Sequence, residues 1–177
     1  MSYKNENMKM IELHENGLDI QFRIRENGVV ELADFSSQEV KKAVMEPKDD
    51  ICYPAVEIHR SGTGSLNMHA YKNNINQSSV DFVYENHELK AQAGGKELEI
   101  VMISPEKLKA VYHMRLFDGV PAVQTWTEII NEGSEDQGLT YVSSFMYQGI
   151  SRGGEKPYYK KTDIYVPFNS WCCEAQW

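Results

Sequence analysis

The chain is poor in cysteine, with only Cys52, Cys172 and Cys173 among 177 residues. An odd count closes no full disulfide framework and favours reduced thiols. Neighbouring cysteines strain a disulfide, and zinc sites space their Cys pairs by about two to four residues. Cys172 and Cys173 therefore read as small side chains packed on a strand. No apolar run reaches the length of about 18 residues that a membrane helix needs. The opening MSYKNENMKMIELHENGLDI lacks a signal-peptide apolar region, so the cytoplasm is the expected compartment. Basic residues are also short, 18 Lys and Arg against 26 Asp and Glu. Neutralising phosphates takes a Lys/Arg surplus on one face, which excludes nucleic acid as a partner. There is no Gly-x-Ser-x-Gly, no P-loop and no His-Glu-x-x-His. No cofactor and no metal is expected.

What is present is an ordinary globular composition, 41% hydrophobic and 25% charged, in a length that suits one domain. The chain reads as strand after strand. Residues 18–25 alternate apolar and polar at period two, Glu26-Asn27-Gly28 turns, and 29–35 continue, which predicts a hairpin. Leu108, Ala110, Tyr112, Met114 and Leu116 share one strand face, with Lys107, Lys109, His113 and Arg115 on the other. Residues 96–103 and 107–117 predict a hairpin joined near Pro105. Asp118-Gly119 then turns into a strand over 120–131, and Asn131-Glu132-Gly133-Ser134 separates that from a strand over 139–147. One segment departs from the pattern. In SSQEVKKAVME, residues 36–46, a Ser N-cap and acidic or amide side chains in the first turn predict a short helix ending before Pro47. Turn signals recur roughly every eight to twelve residues, the signature of an all-β antiparallel sandwich. No repeat or linker divides 1–177.

Candidates for chemistry are few. Ser61-Gly62-Thr63-Gly64-Ser65 has the look of a phosphate cradle, but lacks the Lys-Ser/Thr ending and the helix that should follow. It reads better as a loop between strands. Glu57, His59 and Arg60 precede that loop and His69 follows it, so several polar groups surround one loop of a rigid scaffold. His59 and His113 lie on strand patterns, where solvated faces or packed edges account for them. Glu128, Glu132 and Glu135 sit on a strand face or in turns, and no spacing marks a catalytic carboxylate pair. Trp126, Trp171, Trp177 and several tyrosines concentrate in the last third. They suit either a core and domain interface or a row that stacks on sugar rings.

Several stretches together resemble glycoside hydrolase family 36, the α-galactosidase and raffinose-processing family. They are Asp118-Gly119-Val120-Pro121-Ala122-Val123, then Trp126-Thr127-Glu128-Ile129-Ile130-Asn131-Glu132-Gly133, then Tyr141-Val142-Ser143-Ser144-Phe145. The closing Val166-Pro167-Phe168-Asn169-Ser170-Trp171-Cys172-Cys173-Glu174-Ala175-Gln176-Trp177 is similar to the family's end-of-domain pattern, with Cys173 where Gly is usual. The resemblance runs from about Pro54 to Trp177. It implies the large N-terminal sandwich, similar to galactose mutarotase-like folds, of a retaining enzyme whose two catalytic aspartates lie on a following (β/α)8 barrel. No residue here matches those catalytic motifs, so no catalytic residue is expected.

Relatives use a loop of this sandwich to reach a neighbouring subunit's active site. Gly62-Thr63-Gly64 matches that loop, although Ser65-Leu66-Asn67 stands where the charged substrate contacts would be. Another branch carries His-His-Gly-x-Lys-His, of which His69 and Lys72 are kept. The polar cluster beside the loop and the resemblance together single out His59, Gly62, Thr63, Gly64, His69, Lys72, Trp171 and Trp177 as carbohydrate-binding or interface residues. The partners it implies are a barrel domain, an α-galactoside oligosaccharide held by the parent enzyme, and further copies in a homo-oligomer. The competing expectation is a stand-alone carbohydrate-binding or mutarotase-like sandwich. Its acid and base would be His69 or His113 with Glu128, facing a concave sheet.

Overall fold

Asn16 and Gly17 both adopt positive φ, 52° and 82°, and join Lys9–Glu15 (β1) to Leu18–Ile24 (β2) as a two-residue hairpin. Such loops match the right-handed twist of the strands they connect, and Asn-Gly is the pair that reaches them most easily. Val30–Ser37 (β3) completes a three-stranded antiparallel sheet in the order β1-β2-β3. Next come Ile58–Arg60 (β4) and a single helical turn, Gln77–Val80 (α1). Four long strands follow: Val83–Gln92 (β5), Gly95–Ile103 (β6), Leu108–Phe117 (β7) and Val120–Asn131 (β8). They form an antiparallel sheet in sequence order. Leu139–Val142 (β9) pairs with β4, and Phe168–Ser170 (β10) pairs with Cys173–Gln176 (β11). This computed structural model describes residues 9–37, 53–63, 77–147, Lys160, and the backbone of 168–170 and 173–176. Among the described residues no helix is long and apolar enough to cross a membrane.

The two larger sheets pack face to face, which makes the molecule an all-β sandwich. Alternation dictates which side chains go inward. From β2 come Leu18, Ile20, Phe22 and Ile24, and from β7 come Leu108, Ala110, Tyr112, Met114 and Leu116; all lie in one core. Phe22 meets Tyr112 edge to face across the sandwich, with centroids 5.7 Å apart. Burial pushes the Tyr112 phenol well above its usual range, with a hydrogen bond to Thr125 pulling the other way.

Edges and outer faces are closed by side chains. Glu31, 1% exposed, accepts from the guanidinium groups of Arg23 (2.8 Å) and Arg25 (3.2 Å). It also accepts from the Tyr53 N–H at 2.8 Å. A buried carboxylate is tolerable only with this degree of satisfaction. The short β4 pairs with β9 along one edge and meets serine hydroxyls along the other. Ser79 Oγ accepts from the Ile58 N–H (2.9 Å), Ser78 Oγ accepts from the Arg60 N–H (3.3 Å), and both hydroxyls donate to the Ile58 carbonyl.

The predicted 18–35 and 96–117 hairpins and the 118–131 turn and strand are present. Three expectations change. Ser36 and Ser37, the first two residues of the expected helix, finish β3; residues 38–46 lie outside the described set. The 139–147 strand is shorter, Leu139–Val142, and it pairs with β4. Lys107 occupies the tight turn after β6, at φ 63°, and lies outside the strand.

Two substitutions test this packing by urea denaturation. Phe22→Ala removes a fully buried ring and should cost about 3–5 kcal/mol. Gly95→Ala should also destabilise, because a Cβ there would lie 1.9 Å from the Leu116 carbonyl oxygen. A loss below about 1 kcal/mol would show, for Phe22→Ala, that the face-to-face packing is misassigned and, for Gly95→Ala, that the close β6–β7 approach is.

Candidate functional site

The polar groups around the predicted loop do not converge. Glu57 and His59 share a face of the extended chain, and Glu57 Oε1 lies 2.8 Å from His59 Nε2. The imidazole leans on Tyr141, with centroids 5.1 Å apart. Arg60 points elsewhere, toward Asp81 (3.1 Å) and Glu106 (2.7 Å). The loop itself turns inward. Gly62 takes φ 83°, and the Thr63 N–H and hydroxyl both donate to the Arg60 carbonyl, at 3.3 and 2.7 Å. Those donors close a turn rather than face an anion. Gly64, His69, Lys72, Trp171 and Trp177 lie outside the described residues.

A different cluster forms on the outer face of the four-stranded sheet. Antiparallel register sets Glu99 on β6 opposite His113 on β7, and His113 opposite Trp126 on β8. Glu97 stands two residues from Glu99 and therefore on the same face. Its Oε1 lies 2.9 Å from His113 Nδ1, and Glu99 Oε1 lies 4.0 Å from the same nitrogen. On the other side of the ring, Glu128 Oε2 is 3.8 Å from Nε2. The indole of Trp126 lies parallel to the imidazole, 4.6 Å away with 6° between the planes. Lys90 reaches over from β5 to Glu99 Oε2. His113 is 8% exposed, and its Nε2 is buried without a hydrogen-bond partner.

From its strand pattern His113 is expected on a solvated face or a packed edge. It is on neither, because β7 is flanked by strands on both sides and the Trp126 ring lies over it. Of the acid–base pairs expected for a mutarotase-like sandwich, His69 or His113 with Glu128, the register brings the side chains of His113 and Glu128 together, and His69 lies outside the described residues. Glu97 and Glu99 went unnoticed. The signal was available: a Glu-x-Glu on one strand of a hairpin whose partner strand carries a histidine across the turn.

A scan against protein-family models and a search of curated proteins both return no match to this chain.

The Arg60 pairing has a measurable consequence. Partial burial pushes the Glu106 carboxyl up, but its own backbone N–H, Arg60 and Ser104 outweigh this and hold it below 4.5. A carboxyl lowered on folding stabilises the fold above its unfolded value, and that contribution disappears as pH falls through the folded value. Urea midpoints should therefore drop on acidification below about pH 4.5, and Arg60→Gln should make the drop shallower. An unchanged pH profile in Arg60→Gln would show that the pairing does not hold in solution.

Proposed function

We propose that the chain is the non-catalytic N-terminal sandwich of an α-galactosidase-like glycoside hydrolase. It supports a catalytic barrel, takes part in homo-oligomer assembly, and edges a pocket for an α-galactoside oligosaccharide. One observation carries this reading: the described stretches that resemble glycoside hydrolase family 36 do structural work. Asp118-Gly119 makes the β7–β8 turn, with Gly119 at φ 72° and its N–H donating to Asn16 Oδ1. Asn131 closes the next turn, accepting from the Gly133 N–H (3.0 Å) and donating to the Glu135 carbonyl (2.9 Å). Ser143 ties the end of β9 to β4 by accepting from the Glu57 N–H at 2.8 Å. Residues that make turns and ties suit a supporting domain better than a reactive one. Leu139, Tyr141 and Phe145, which lie in or beside the third stretch, are exposed large apolar side chains of the kind a docked domain covers.

The second reading, a stand-alone mutarotase-like sandwich, draws on the 3.8 Å approach of His113 and Glu128. The geometry disfavours it. A general acid or base must reach the proton it moves, and His113 Nε2 is shut away from solvent.

The two readings separate in one set of assays. Residues 1–177 should release nothing from an aryl α-galactoside and should not accelerate anomer interconversion. The protein extended along its reading frame past Trp177 should cleave the galactoside. Turnover by 1–177 alone, or an extended protein without a barrel, would sink the proposal. Anomer interconversion lost in His113→Gln would establish the second reading instead.

A further inference from the structure

The His113 cluster plays no part in that supporting role, and its geometry invites a ligand. One donor atom from each of Glu97, Glu99 and His113 lies within 4.8 Å of the other two. A cation bonded to nitrogen and oxygen at about 2.1 Å keeps neighbouring ligand atoms about 3–4.2 Å apart. The Nδ1 distance of 4.0 Å to Glu99 lies within that range, and the 2.9 Å hydrogen-bonded distance to Glu97 lies at its lower edge. From this we infer that His113 Nδ1, Glu97 and Glu99 form a binding site for one divalent cation of the Zn2+ or Mn2+ kind. The inference does not rest on the proposed family role.

Grouped carboxylates alone would be a weak reason. The independent observation is His113 itself, 8% exposed, with a buried Nε2 that has no partner. A buried polar atom left unpaired is costly. Binding a cation through Nδ1 places the ring proton on Nε2, where Glu128 Oε2, 3.8 Å away, is the carboxylate in position to receive it. Histidine ligands commonly donate their other N–H to a carboxylate in this way, which fixes the tautomer and raises ligand basicity. Trp126, stacked at 4.6 Å, holds the plane of the ring. Lys90 engages Glu99 through Oε2 and leaves Oε1 facing His113, offsetting one negative charge without occupying the donor atom.

The donor set narrows the ion. One imidazole nitrogen with two carboxylate oxygens suits Zn2+ or Mn2+, whereas Cu+ prefers sulfur and Ca2+ collects six to eight oxygens. Glu97 and Glu99 are only part-buried, so an ion has a route in from solvent. The alternative is a cluster held together by a protonated imidazole between Glu97 and Glu128, with no affinity for metal.

The test is calorimetric titration of the chelator-stripped chain with Zn2+ and separately with Mn2+, which binds thiols poorly and so bypasses the cysteines. One saturable equivalent is expected. Mn2+ should also quench Trp126 emission, and Trp126→Phe should abolish the quench while leaving the heat. His113→Gln and the double variant Glu97→Gln/Glu99→Gln should each abolish saturation. Glu128→Gln should weaken binding by about 10–100-fold, and Lys90→Gln should tighten it. If His113→Gln fails to fold, the double variant decides. No saturable heat with either ion, or binding that survives the double variant unchanged, overturns the site.

Discussion

The central strand β7 is the constraint on which the rest depends. Its neighbours β6 and β8 pair with it along its whole length, so both of its faces are covered by their side chains as well as its own. One face supplies Tyr112, Met114 and their neighbours to the core against β2. Period two then leaves no choice for the other face, where His113 falls between Glu99 and Trp126. A register slip of one residue would put Lys109, His113 and Arg115 into the core. Apolar burial of the inner face therefore fixes the geometry of the outer one.

The molecule handles buried charge in two different ways. On the first sheet, Glu31 is matched by two guanidinium groups and a backbone N–H, and every partner lies within hydrogen-bonding distance. Such an arrangement holds β2 and β3 in register with the segment after residue 53. On the second sheet, Glu97, Glu99 and Glu128 surround one imidazole, and Lys90 pairs with Glu99. Glu97 and Glu99 are same-face neighbours, and like charges so placed repel. That surplus of negative charge around an imidazole whose Nε2 lacks a hydrogen-bond partner distinguishes the second cluster from the first.

How much of this was legible in the sequence depends on element length. The alternation of residues 18–24 and 108–117 is long enough to identify both strands, and Asp118-Gly119 announces its turn. β1 went unread because its hairpin pair, Asn16-Gly17, lies in a stretch whose polar residues obscure Ile11 and Leu13. Strand β4 and helix α1 are three and four residues long, too short for any period to show. They exist because Ser78 and Ser79 satisfy the edge of β4, a tertiary effect. The candidate site was half visible: His113 and Glu128 follow from β7 and β8, while Glu97 and Glu99 needed the β6–β7 register. A hairpin joined near Pro105 contains that register once its turn is placed at Glu106, because each residue's partner then follows by counting outward.

The two outer faces also bear on where another domain would sit under the proposed role. The outer face of the first sheet is already partly covered, since Tyr147 donates to Asp34 and the Tyr53 N–H donates to Glu31 there. The face of the second sheet bears the carboxylate cluster, and desolvating carboxylates against a flat partner is expensive unless cations meet them. Among the described residues the exposed large apolar side chains are Val83 and Leu89 on β5, Val120 and Ile130 on β8, and Leu139, Tyr141 and Phe145, of which the last three fall within one short stretch of chain on β9 and just beyond it. Burying those removes apolar surface from water at no electrostatic cost. A barrel docked on the β9 side would leave the His113 face open to solvent, so a cation held there would brace β6 against β7 and take no part in sugar chemistry.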